Sequence, residues 1–310
     1  MMSKIGFIAM VSVLLPLQFA SGQAHFKRFP ETVTNDGAYA LAWGIKDDPT
    51  GDVASKTEIP EDSPDKLGDI DSDVIEDYLV DTATGKIVAT IPEFTYFAGS
   101  EGRQNHFNLE VGWSPDNHGG IAIYQGRYAT DEIAWINPTD HKASGVTDQI
   151  EKAIRRVAIQ KLGKRASDYE ISLTSPAFVR PRRLVFNGMV GELSSKRENA
   201  ANYSFDVVLD VKGNLGAPQF EVEKTKWASK DSESESSAGN ENEEAQLNRV
   251  YRKLAGTLSP QDRESLKQEQ LKWLATREHI AAAEKEEKEF KQLEFTRRRI
   301  TELETRARFR

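Results

Sequence analysis

The sequence predicts an α+β amino-terminal domain, mainly antiparallel β with one helix, followed by an all-α helical carboxy-terminal domain with a long terminal helix. Three observations over its 310 residues predict this. Before residue 229 the chain is cut into short apolar runs by Gly, Pro, Asn and Asp, the pattern of strands and turns. One segment there, "VTDQIEKAIRRVAIQKLGK", changes to helical spacing. Residues 261–310 contain neither Gly nor Pro, the two residues that interrupt helices.

The first residues, "MMSKIGFIAMVSVLLPLQFASGQA", carry one cation at Lys4, an apolar run from Ile5 to Leu17 and small residues at the end. This is the pattern of a secretory signal peptide over residues 1–24, with cleavage after Gly22 or Ala24. The apolar run is shorter than the ~20 residues a membrane span needs. The mature chain is therefore expected to be periplasmic or secreted, with no transmembrane span. A chain without cysteine has no disulfide, no thiolate nucleophile and no cysteine-ligated zinc.

Residues 25–228 are expected to form the α+β domain. The runs "YALAWGI", "VIEDYLVD", "KIVATI", "NHFNLEVGW", "GIAIYQG" and "EIAWI" read as strands, and "DTATGK" supplies a hairpin turn at Thr84 and Gly85. In the helical segment Val146, Ile150, Ile154, Val157, Ile159 and Leu162 largely share a face, and Gly163 ends it. "RRLVFNGMVGEL", "NYSFDVVLDV" and "QFEVEKTKW" then read as a meander. "NDGAYALAWGI" and "LEVGWSPDNHGGIAIY" resemble the strand-turn phrases of β-propeller blades, which implies an incomplete propeller-like sheet; the region is too short to close a propeller. The acidic stretch 47–73 alternates oxygen ligands only in part and lacks the central glycine of a calcium loop, so it reads as a solvated loop.

Residues 229–245 begin "SKDSESESSAGNENEE", which has no apolar side chain larger than alanine and reads as an acidic, disordered linker. Charge divides there. Residues 245–310 hold 16 Lys and Arg against 11 Asp and Glu, a balance of +5, and the rest of a chain whose net charge is −8 stands at −13. Two modules with different surfaces follow from that division.

In residues 246–310, Leu247, Tyr251, Leu254 and Leu258 fall at steps of four, three and four, one face of a helix. "LSPQD" restarts the chain, with Ser259 as cap, Pro260 at the first helical position and Asp262 where a capping-box acid belongs. Leu266, Gln270, Trp273, Arg277 and Ile280 share the next face. Trp273 and Arg277 lie one turn apart, so the guanidinium can rest over the indole, a contact worth ~0.5–2 kcal/mol. Trp273, Tyr251 and Leu254 read as the seam of a helical hairpin more readily than as a binding surface.

Together Leu247, Asn248, Tyr251, Leu254, "LSP", Arg263, Leu266, Gln270, Trp273 and Arg277 resemble the core pattern of the LprI-type lysozyme inhibitor domain family. "FTRRRITEL" is similar to the family's closing segment, with Thr296, Arg299 and Leu303 in matching places. Gln270 is expected to bond polar groups of the facing helix near Asn248. Family members typically carry a cysteine near the position of Ala281 and another shortly before that of Phe295; this sequence has neither. With no loop residue in sight, the second and third helices are expected to fuse into one rod of ~50 residues, ~75 Å long. Its distal apolar residues Phe290, Leu293, Ile300 and Leu303 would then need the amino-terminal domain or a second copy of the chain, in coiled-coil fashion.

The resemblance implies an exported bacterial, non-enzymatic protein that binds a lysozyme-like muramidase or another cell-envelope protein. The alternative is a structural, self-associating envelope protein that uses the long basic helix. No cofactor and no metal is expected. Glu110, Asp116, Asp131, Glu132, His106 and His118 could supply acids and bases, but no nucleophile elbow, zinc-protease helix, phosphate loop or dinucleotide fingerprint accompanies them. "RRR" at residues 297–299 and the terminal "RARFR" read as a solvated helix face rather than a nucleic-acid site.

Overall fold

A computed structural model describes residues 26–45, 75–92, 108–125, 129–163, 169–191, 202–228, 243–283 and 288–309. The expected signal peptide, the acidic stretch 47–73 and residues 229–242 of the expected linker lie outside the described residues. Strands β1 (Lys27–Arg28), β2 (Tyr39–Ile45), β3 (Ile75–Asp81) and β4 (Ile87–Ile91) pair antiparallel in chain order, as do β5 (Asn108–Trp113), β6 (Gly120–Gln125), β7 (Thr130–Asn137) and β8 (Lys142–Gly145). Helix α1 (Thr147–Leu162) leads to a third sheet of β9 (Glu170–Arg180), β10 (Arg183–Gly191), β11 (Asn202–Asn214) and β12 (Ala217–Trp227). Three helices close the chain: α2 (Glu243–Gly256), α3 (Pro260–Ala283) and α4 (Lys288–Arg308).

The second sheet lies at the centre because both its faces are apolar. On β6 and β7, Ile121, Ile123, Ile133 and Trp135 point one way and Ala122, Ala134 and Ile136 the other, as the two-residue period of a strand requires. The first set packs with Ile150 and Ile154 of α1 and with Leu173, Phe178, Leu184 and Phe186 of the third sheet. The second set packs on Leu41, Trp43, Leu79 and Ile91 of the first sheet. Double-sided burial is why these strands read as nearly continuous apolar runs. Turn chemistry is local: the Gly85 N–H donates to the Asp81 carbonyl at 2.9 Å with φ at +67°, and the Asp81 carboxylate accepts the Thr84 N–H at 2.7 Å.

Strand β9 is an edge strand of the third sheet, and it is irregular where it meets β5. Val185 pairs with Ala177 and Asn187 with Thr174, so two steps on β10 oppose three on β9 and Ser175 and Pro176 form a bulge. Proline is tolerated there because an edge strand need not donate on both sides. Ser175 has a φ of +54°, and its N–H donates to the Glu110 carboxylate of β5. Gly112 permits this approach, since a Cβ on it would stand 2.5 Å from the Pro176 carbonyl oxygen. Gly112→Ala must therefore push two backbones apart, and a loss of about 1–3 kcal/mol is expected in denaturant unfolding. An unchanged midpoint would show that β5 and β9 are not held at this distance.

Two expectations are corrected. The expected fold class, an α+β domain followed by an all-α domain with a long terminal helix, fails: three antiparallel sheets form the body, reaching Trp227, and the four short helices among the described residues are layers on that body. Helix α4 packs against β9, and Phe309 enters the outer face of the third sheet among Val179, Val185 and Val208. The rod of ~50 residues fails too. Helices α3 and α4 are distinct, and α4 runs back alongside α3, with Thr296 near Arg277 and Arg299 against Gln270. Helix propensity favoured the rod, but burying Ile300 and Leu303 against Leu247, Val250 and Leu254 of α2 decided the geometry.

Candidate functional site

The residues singled out in the tail converge on the three closing helices. Leu247 and Leu254 of α2, Leu266 of α3 and Leu303 of α4 are buried in one cluster, with Tyr251 and Trp273 packed against it. The Arg277 guanidinium stands 5.1 Å from the Trp273 ring centroid, and its Nη1 donates to Glu244 of α2 and, at 3.4 Å, to the Thr296 hydroxyl of α4. One arginine thus ties all three helices. Arg263 performs a second task at the α2–α3 turn: its Nε donates to the Ala255 carbonyl at 3.0 Å and an Nη to the Leu258 carbonyl at 3.4 Å, adding donors to carbonyls at a helix end. Ser259 and Asp262 exchange the bonds of the expected cap.

Asn248 stands apart. It is exposed and donates to the Glu244 carbonyl at 2.8 Å, so the expected pairing with Gln270 is not made. Gln270 instead accepts from the Arg299 Nε at 3.1 Å.

Between α3 and α4 lies a charge network that the sequence reading treated as solvated surface. The Arg299 side chain is 2 % exposed, and its Nη1 donates at 2.7 Å to both Glu269 and Glu302. Arg306 donates to the same two carboxylates at 2.6 and 3.2 Å. Two cations and two anions cancel, as charges removed from water must. Burial pushes the Glu269 carboxyl up, but Arg299 and Arg306 outweigh it and hold the group down at about 2. The carboxylates in turn hold Arg299 and Arg306 above the usual guanidinium range against the cost of burial. A signal was present: Arg299, Glu302 and Arg306 follow at steps of three and four beside Leu303, one stripe of a helix.

The acids and bases considered for chemistry are scattered. Asp116 accepts from the Ser114 hydroxyl and the His118 N–H in a turn, and the His118 Nδ1 lies 3.0 Å from the Thr139 hydroxyl. Glu110 engages Ser175. Burial raises the Asp131 carboxyl near the start of β7. His106 lies outside the described residues. Among the described residues no group of three or more His, Asp or Glu is placed to hold a metal ion, and no helix is long and apolar enough to cross a membrane.

No curated protein and no solved structure matches the chain. The family described as Lysozyme inhibitor LprI matches residues 228–308, so the stretch that holds α2, α3, α4 and the Arg299 network is similar to that family, and the match does not cover the three sheets.

Proposed function

We propose that this chain is an exported, non-enzymatic inhibitor whose helical layer binds a lysozyme-like muramidase. The observation that carries the reading is the LprI match over residues 228–308. The side chains carrying the resemblance mostly serve to hold the helices together: eleven of the twelve are buried, packed or bonded into the layer, and Asn248 alone is exposed with only an intrahelical bond. On this reading they build the scaffold, and contact with the enzyme is made by what the scaffold displays. Helix α3 displays Leu271, 52 % exposed, near the charged pair Lys267 and Glu264. Leu271 is the contact that this reading assigns to the enzyme.

The acidic remainder of the chain supports an approach by a cationic enzyme through long-range attraction. A removable signal over residues 1–24 and a division near residues 229–245 belong to the same reading. Self-association through the terminal helix is less well supported, because Ile300 and Leu303 of α4 are already buried within the chain. The test is lysis of a cell-wall suspension by a muramidase with the purified chain added. Slowing at stoichiometric concentration is expected, together with relief by Leu271→Asp. Undiminished lysis at a large excess of the chain would reject the reading.

A further inference from the structure

A cleft of about 260 Å³ opens where the helical layer meets the sheets. Its walls come from three separate stretches: the segment before β2, the β5–β9 junction, and helices α3 and α4. We propose that this cleft binds one sugar residue bearing an acylamino group.

The first argument is Arg299. It lines the cleft, and it is fixed through Nε by Gln270 and through Nη1 by Glu269 and Glu302. Its Nη2 is buried with no hydrogen-bond partner. A buried N–H left unmatched is rare and calls for an acceptor from outside the chain. The guanidinium cannot turn to seek one, because its other nitrogens are committed.

The wall itself is the second argument. Ser175, at φ +54° in the β9 bulge, and Gly112, whose missing Cβ lets the strands close, both line the cleft. Bulges and left-handed residues concentrate where a strand must aim its groups at a ligand. Glu110 holds the bulge in place through the Ser175 N–H.

The lining chemistry sets the ligand class. Trp113 and Trp273 both line the cleft, the first otherwise buried in the core with its indole N–H on the Thr32 carbonyl at 2.8 Å, the second carrying Arg277 at 5.1 Å from its ring centroid. Asn35 donates to the Ser114 carbonyl at 3.0 Å and keeps its amide oxygen as an acceptor. Arg297 and Arg299 stand against Glu31, Glu110 and Glu302, so the lining is slightly acidic and disfavours an anion. A neutral ligand with an apolar ring face, hydroxyl donors and one strong carbonyl acceptor satisfies every group, and an acylated amino sugar is that molecule. The site stands independently of the muramidase reading: a chain that slows no muramidase can still bind the sugar.

The experiment is isothermal titration of the full chain with the β-1,4 trimer of N-acetylglucosamine, beside the trimer of glucosamine and an N-acetylated dipeptide amide. The acetylated trimer should bind at least tenfold more tightly than the other two. Asn35→Ala and Arg299→Lys should each weaken it at least tenfold, while Lys253→Ala on the exposed side of α2 leaves it unchanged. Thermal melts show which variants are folded; if Arg299→Lys is not, Asn35→Ala decides. Absence of heat at millimolar trimer, equal binding of the two trimers, preference for the dipeptide, or binding indifferent to Asn35→Ala in a folded protein would each overturn the proposal.

Discussion

Arg299→Met should cost the helical layer about 3–5 kcal/mol, the usual result of stripping one partner from a buried ion network. The side chain is 2 % exposed and serves Glu269, Glu302 and Gln270 at once, so its loss leaves Glu269 with Arg306 alone and Gln270 without its donor. Lysine keeps the charge but cannot reach three acceptors in one plane, so Arg299→Lys should fall between the two. Acid provides the check on mechanism. The folded Glu269 carboxyl sits at about 2 against an ordinary value of 4.5. A depressed carboxyl stabilises the fold fully above the ordinary value and loses that contribution as pH falls toward the folded one. Without Arg299 the depression is smaller, so the variant loses less on acidification. The gap in unfolding free energy between parent and variant should therefore narrow between pH 4.5 and about 2. A gap constant across that window would mean that Arg299 acts through packing rather than charge.

The same network marks the limit of what could be read from the chain. Strands were legible wherever one residue type fixed the environment: "YALAWGI" is β2 residue for residue, and "DTATGK" turns at Gly85 because only a residue free at positive φ closes it there. The Trp273–Arg277 stacking was legible because helical spacing alone brings those groups together. The return of α4 along α3 was not legible. Nothing between residues 261 and 310 punctuates the backbone, so every local rule favoured a rod. The information lay in pairings 29 to 37 residues apart, Arg299 with Gln270 and Arg306 with Glu269, and composition cannot distinguish such a pair from two solvated charges. The docking of the layer on the sheets was hidden for the same reason. "RARFR" looks like a basic end, yet its phenylalanine is the anchor.

That anchor yields the second large effect. Phe309 is 5 % exposed among Val179, Val185 and Val208. Around it, Arg308 pairs with Asp206 at 3.1 Å, and Arg183 donates to the Phe309 carbonyl at 3.5 Å while binding Glu223. Phe309→Ala removes an aromatic ring from a filled site, which costs about 3–5 kcal/mol. The internal cluster of α2, α3 and α4 does not include Phe309, so the loss falls on the contact between layers and not on the helices themselves. Calorimetry should resolve this: one cooperative transition for the parent, and two for the variant, with the helical layer melting first. Sugar binding should fall with it, since the cleft takes Trp113 from one layer and Trp273 from the other. A single transition that merely moves down in temperature would show instead that the helices cannot hold together away from the sheet, making the LprI-like stretch a dependent layer rather than an attached unit.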